Sequence, residues 1–172
     1  MKLIPDAYYQ DVYKIDFNKI YKKGYRFIFF DVDNTLIPYT ENKIRKENKK
    51  LIDELKKIGL TPIIISNSHS NRIDSIIKDL EIEGFTFSKK PLKLTYKKIL
   101  RKYEKDKCIF IGDQLMTDVL GAKRNNFKVI LVDRILNIEP IYTKFWRFFE
   151  NKKLKKYKKS NFFEIGKYYD NL

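Results

Sequence analysis

The stretch Phe27-Ile28-Phe29-Phe30-Asp31-Val32-Asp33-Asn34-Thr35-Leu36 constrains the fold more than any other part of the chain. Its apolar start has no polar alternation, the pattern of a strand buried on both faces in a parallel sheet. It then ends abruptly in two carboxylates one residue apart. Open α/β sheets bind ligands beyond the carboxyl ends of their strands, so these acids stand where such a sheet places its chemistry. Residues i and i+2 of a strand point the same way, which starts Asp31 and Asp33 out on one side. Two charges so close need a cation, a proton or hydrogen-bond donors to compensate them. A helix-capping Asp explains one acid, but not Asp-x-Asp-x-Thr at the end of an apolar strand.

The chain beyond this run alternates between the two secondary-structure periods. Ile44, Leu51, Ile52, Leu55 and Ile58 recur at helical spacing over residues 41–58, and Gly59 supplies a C-terminal stop. Residues 62–66 read as a second buried strand, and Ile73, Ile76, Ile77 and Leu80 mark a second helix. Residues 85–87 read as a short third strand. Pro91 is expected in the first turn of a third helix, where proline is tolerated, with Leu94, Ile99, Leu100 and Tyr103 following. Residues 108–111 form a fourth strand, 115–125 a helix despite Gly121, and 128–132 a fifth strand. Residues 1–24 read as an irregular lead-in with a short helix closed by Gly24. This alternation predicts the α/β class, a Rossmann-like doubly wound parallel sheet. With 172 residues and no internal repeat, the expectation is one domain over residues 1–140. A basic, aromatic helical extension over 141–172 packs on it or is appended to it.

One cysteine and one histidine exclude an intramolecular disulfide framework and a zinc site of Cys and His ligands. Cys108 lies in an apolar run and reads as a small buried hydrophobe; His69 reads as a loop histidine without a role. A metal here must be held by oxygen, which favours magnesium. Met1-Lys2-Leu3-Ile4-Pro5-Asp6 does not begin a signal peptide, and no apolar stretch is long enough to span a bilayer. The expectation is a cytoplasmic protein, free or peripheral on the inner face of the membrane.

The formal net charge of +15 implies attraction to nucleic acid, an acidic membrane surface or a phosphorylated substrate, unless it reflects compositional bias alone. Ile141, Tyr142, Phe145, Trp146, Phe148 and Phe149 fall on one side of a helical wheel, with Lys144 and Arg147 opposite. A lysine-rich stretch follows over residues 152–159. Residues 141–172 carry nine Lys plus Arg against three Asp plus Glu, a local net charge of +6. That pattern fits an interfacial helix on an anionic membrane, and equally a terminal helix packing its aromatics on the sheet. Oligomeric state is not legible.

Polar residues fall at four predicted strand ends in order: Asp31, Asp33 and Thr35; Ser66 and Asn67; Lys90 before the third helix; and Asp113 with Asp118. Singly, Ser66 is a helix cap, Lys90 one lysine among many and Asp118 a surface acid. Together they make the set that phosphoryl transfer needs. Phosphate monoesters are among the slowest known uncatalysed hydrolyses, and a carboxylate nucleophile divides the step by forming an aspartyl-phosphate that water then cleaves. Asp31 is the candidate nucleophile. Asp33 is placed to protonate the leaving alcohol and then activate the water. Asp31, Asp113 and Asp118 repel a phosphate dianion, so magnesium on the carboxylates and the fixed cation Lys90 are needed to reverse the field. Thr35, Ser66, Asn67 and Lys90 are the candidate phosphate-binding residues.

Asp31-Val32-Asp33-Asn34-Thr35, then Ser66-Asn67, then Lys90-Pro91, then Gly112-Asp113-Gln114-Leu115-Met116-Thr117-Asp118 resembles the four ordered motifs of the haloacid dehalogenase (HAD) superfamily of phosphatases. The segment 111–124 more narrowly resembles the class IIIA, YqeG branch, which includes phosphatidylglycerophosphatases. Leu3, Pro5, Asp6 and Tyr8, and the stretch Thr143 to Arg147, also look like that branch. The resemblance covers roughly residues 3–150. It implies a nucleophile at Asp31, an acid/base at Asp33, and magnesium on Asp31, the Asp33 carbonyl and Asp113, with Asp118 supporting the metal site. Superfamily members that select small metabolites usually insert a cap domain, and the spacing here leaves little or no room for one. The expected site is therefore open, suiting a phosphate on a membrane lipid or a macromolecule. Phosphatidylglycerophosphate is the expected substrate. A soluble phosphosugar, a nucleotide, a phosphoprotein, or a nucleic-acid- or ribosome-binding role on a phosphatase scaffold are the alternatives. No RNA-binding motif supports the last of these.

Overall fold

The computed structural model describes residues 3–68, 71–136, 150–156, 169, 170 and 172. The elements are β1 (Ala7–Tyr9), α1 (Phe17–Lys22), β2 (Phe27–Phe30), α2 (Lys46–Ile58), β3 (Thr61–Ile65), α3 (Asn71–Leu80), β4 (Glu83–Phe85), α4 (Lys93–Lys102), β5 (Cys108–Gly112), α5 (Leu120–Arg124), β6 (Lys128–Val132) and β7 (Tyr169–Asp170). The sheet order is β4-β3-β2-β5-β6-β1-β7. Every pair from β4 to β1 is parallel, and β7 closes the edge antiparallel to β1.

The unalternating run of β2 is explained by its place between β3 and β5, covered on both faces. Ile28 and Phe30 face a core shared with Phe17 and Ile20 of α1, Leu51 and Leu55 of α2, and Ile73 and Ile76 of α3. Phe29 and Ile63 face the opposite core, with Phe110 of β5, Tyr96 and Ile99 of α4, and Ala122 of α5. Phe29 stacks on Phe110 at a centroid distance of 4.7 Å. This is the doubly wound α/β arrangement expected from the sequence. Strand order reverses between β2 and β5, which makes the end of β2 the topological switch point.

Several boundaries differ from the sequence reading. The third strand ends at Phe85, because Phe87 takes φ +51° and leaves the extended region. Pro91 sits in a turn two residues ahead of α4, whose N-cap is Leu92. Helix α2 starts at Lys46, where the Asn48 side chain accepts from the Arg45 N–H and closes the first turn. The expected helix after β5 opens as a π-helical turn, Leu115–Val119, and becomes α-helical at Leu120. Strands β1 and β7 were not foreseen; three and two residues respectively are too few to show a period.

Only α2 with β3 separates Thr35 from Ser66, and among the described residues only α3 with β4 separates Asn67 from Lys90. His69, the aromatic positions 141–149 and the end of the basic stretch lie outside the described residues. Residues 150–156 are helical. There Glu150, nearly fully buried, accepts from the Met116 N–H at 2.6 Å, and Leu154 packs on the second core. Among the described residues, no helix is long and apolar enough to cross a membrane.

Candidate active site

The Asp31 N–H donates to Ile111 O at 2.9 Å, so the ladder between β2 and β5 runs one residue past the strand and fixes the Asp31 backbone. The chain then turns sharply: Val32 O accepts from the N–H groups of Thr35, Leu36 and Ile37, and Asn34 takes φ 63°. Asn is one of the few residues that enters this left-handed region at low cost. The turn sends the two carboxylates to different partners. Asp31 faces Lys90 and the acids after β5, whereas Asp33 Oδ1 receives Arg72 Nη1 at 2.7 Å.

Lys90 is the buried hub. Its ammonium donates to Asp31 Oδ1 at 2.7 Å, Asp118 Oδ1 at 2.6 Å and Ile65 O at 2.9 Å, which uses all three of its protons. Burial alone would lower the Lys90 pKa, but the Asp118 and Asp31 carboxylates override it and raise it; Lys90 stays charged. Asp31 is pushed well above the usual carboxylate range by burial first, with Asp118, Asp113 and Asp33 adding to it against the Lys90 ammonium. Thr35 Oγ1 lies 3.3 Å from Asp31 Oδ2 and 3.5 Å from Asp113 Oδ1, and so spans the two acids.

Asp118 spends its second oxygen on the Gln114 N–H at 3.1 Å. It fits because position 112 is glycine: a Cβ there would stand 2.4–2.7 Å from the Asp118 carboxyl carbon, an oxygen and Cβ. Asn67 braces the Lys90 loop, accepting from the Lys90 N–H at 2.6 Å and Ser88 Oγ at 2.8 Å and donating to Lys90 O at 3.0 Å. Ser66 Oγ accepts from the Ser68 N–H at 3.1 Å, which leaves its proton for an outside acceptor. The structure thus gathers Asp31, Thr35, Ser66, Lys90, Asp113 and Asp118 at one sheet edge. It places Asp33 beside them with Arg72, and makes the Asn67 amide a brace for the loop.

Three participants escaped the sequence reading. Arg72, in the first turn of α3, also donates to Glu41 O at 2.7 Å and so ties α3 to the loop after Asp33; no motif marks it. Gly112 reads as a motif glycine, but its steric role needs Asp118 in view. Tyr96 is fully buried, its hydroxyl has no hydrogen-bond partner among the described residues, and it packs where Gly121 leaves room.

Oxygens of Asp31, Asp113 and Asp118 lie within 4.8 Å of one another, the one such carboxylate group among the described residues. Three carboxylates against one ammonium leave an excess of negative charge that a divalent cation would balance, and an all-oxygen donor set suits a hard ion. Fold and site together define a doubly wound α/β protein whose carboxylates converge at the switch point of its sheet. Residues 38–126 match the haloacid dehalogenase-like hydrolase family. The chain is 30% identical over 146 residues to "Probable phosphatase YqeG" of Bacillus subtilis, covering 84% of this chain and 85% of that one. It is similar in fold to the HAD-hydrolase YfnB from Bacillus subtilis bound to magnesium, at 14% identity over 70% of this chain and 92% of that one, with a TM-score of 0.55. A protein from Listeria monocytogenes serotype 4b is likewise similar, at 17% identity over 67% and 86%, with a TM-score of 0.51. The chain belongs to the haloacid dehalogenase-like hydrolases, as a phosphatase of that family.

Proposed function

We propose that the protein is a magnesium-dependent phosphomonoesterase working through an aspartyl-phosphate on Asp31, and that its substrate is phosphatidylglycerophosphate, converted to phosphatidylglycerol. The observation that carries the chemistry is the buried Asp31 held between Lys90 and the Asp113/Asp118 pair. Magnesium would be held by Asp31, the Asp33 carbonyl and Asp113, with Asp118 in support, and would neutralise charge on the transferring phosphoryl group.

The chain's own groups do the rest. Asp31 Oδ2, facing Thr35 rather than Lys90, attacks phosphorus while Lys90 holds Oδ1 in place. Asp33 gives a proton to the departing alkoxide and then takes one from the water that cleaves the acyl phosphate. Arg72 holds the Asp33 carboxylate in one orientation. The Ser66 hydroxyl and nearby backbone N–H groups donate to phosphoryl oxygens, with Thr35 beside them.

The lipid reading rests on the openness of the site, since among the described residues no cap stands between the motifs, on the basic charge, and on similarity to the YqeG branch. Phosphate release is measured from phosphatidylglycerophosphate in mixed micelles, with magnesium or with EDTA, beside a panel of soluble phosphomonoesters. Fast release from the lipid that EDTA abolishes is expected. Release only from soluble compounds overturns the lipid and keeps the chemistry.

A further inference from the structure

The loop that carries Lys90 into the site also carries the most exposed apolar surface of the described chain. Phe87, Leu92 and Leu94 are 58%, 52% and 62% exposed, ahead of every other large apolar side chain described, and all three fall within eight residues. Between them Ser88 and Lys90 are buried, so the chain alternates between feeding the site and projecting outward. This projection is built. The Phe87 N–H donates to Ser68 O, the Ser88 N–H to Ser66 O, and Thr95 Oγ1 to Ser88 O at 2.9 Å. Phe87 and Lys89 are both held at left-handed φ, +51° and +52°, a region non-glycine residues seldom enter. Lys89 Nζ stands 4.6 Å from the centroid of the Phe87 ring.

Charge decides what this surface meets. From Thr86 to Tyr103 the sequence has seven Lys or Arg and no Asp or Glu. Apart from Lys90, all of these cations are exposed. A nucleic acid would use the cations but has no use for two projecting leucines. An anionic bilayer uses both, phosphates for the lysines and the acyl boundary for the apolar tips. We propose that residues 87–94 form a membrane-docking wedge, with Phe87, Leu92 and Leu94 entering an anionic bilayer and Lys89 and Lys93 lying among its headgroups. Docking there brings the Lys90 end of the catalytic site against the lipid surface. The inference rests on the lipid-phosphatase reading.

The test is co-sedimentation of the full chain with vesicles of phosphatidylglycerol and phosphatidylcholine, and with phosphatidylcholine alone. The double variant Leu92→Gln/Leu94→Gln, Phe87→Ser, and the control Lys49→Gln/Lys50→Gln on α2 are compared with the parent protein. The parent is expected to bind the anionic vesicles. The double variant should lose roughly tenfold or more in partitioning, with the α2 control unchanged. Hydrolysis of a soluble aryl phosphate by the double variant should stay at the parent's rate, which shows that it is folded. No binding of the parent to anionic vesicles, or equal binding by the double variant, overturns the wedge. If the wedge binds vesicles as described but no lipid phosphate is hydrolysed, docking stands and the substrate reading falls. If the lipid is hydrolysed and the variants bind like the parent, only the wedge falls.

Discussion

Replacing Gly112 by alanine tests the geometry of the site through a residue that performs no chemistry. The added Cβ would stand 2.4 Å from Asp118 Cγ, 2.5 Å from Oδ2 and 2.7 Å from Cβ, all below the contact distance real Cβ atoms keep. Because Asp118 Cβ is itself too close, rotating the side chain does not clear the clash; the start of the π-helical turn or the end of β5 must move. Overpacking of this kind costs about 1–3 kcal/mol, or roughly 2–12 °C in Tm for a chain of this length. The larger effect is on activity. Moving Asp118 takes one of three acceptors from Lys90 and the partner from the Gln114 N–H, so the cation that holds Asp31 loses its fixed position. Misplacing one such preorganised group costs about 10²–10³ in kcat. Gly84→Ala is the control: its Cβ meets the flexible end of Ile77 and none of the site's side chains, so it should lower Tm without that fall in kcat. Thermal unfolding and steady-state hydrolysis of an aryl phosphate read both quantities. A Gly112→Ala enzyme within about threefold of the parent kcat refutes the claim that the Asp118–Lys90–Asp31 chain sets the rate.

Three further substitutions probe separate parts of the account. Arg72→Ala frees Asp33 and the loop at Glu41 and should lower kcat by roughly tenfold or more with little change in KM, with partial recovery in Arg72→Lys; a change confined to KM contradicts the positioning role. Tyr96→Phe removes a buried hydroxyl without a described partner and should stabilise the fold by about 1–3 kcal/mol in urea titration, whereas destabilisation would reveal a partner for that hydroxyl. Asp31 is raised above its ordinary value of 3.8, by burial first and then by the neighbouring acids, so the native state keeps a proton that the unfolded chain has lost. In EDTA, stability should therefore fall as pH rises from about 4 through the native pKa of Asp31. Asp31→Asn should be the more stable protein above that window, and equal or lower stability there removes the argument.

How much of this could be read from the sequence follows from the range of the interactions involved. The β2 run, the α2 and α3 periods and the order of the four polar strand ends are local patterns, and each fixed its element or its site residues. The pairing of Asp33 with Arg72 joins residues 39 apart in sequence, and no periodicity encodes it. Asn67 reads as a phosphate contact by position; that its amide also braces the Lys90 loop is visible only once that loop is folded. Lys90 reads from the sequence as a fixed cation beside the phosphate; its three acceptors, Asp31, Asp118 and Ile65 O, are visible only in the fold, where a buried ammonium must satisfy every proton. Strands β1 and β7 depend on pairing at the sheet edge rather than on local pattern. The left-handed conformations at Phe87 and Lys89, which end β4 early, are imposed by bonds to the segment after β3 and leave no mark in composition.

The central claim is that Asp31 becomes phosphorylated. The direct measurement is acid quench of the enzyme with magnesium and substrate, followed by peptide mass analysis, using the parent and an Asp33→Asn variant in which water activation is impaired. The account predicts one added phosphoryl group on the peptide containing Asp31, accumulating in Asp33→Asn, labile to hydroxylamine and absent in Asp31→Asn. Substrate turnover by Asp31→Asn at the parent rate, or a phosphoryl group found on another residue, would contradict it.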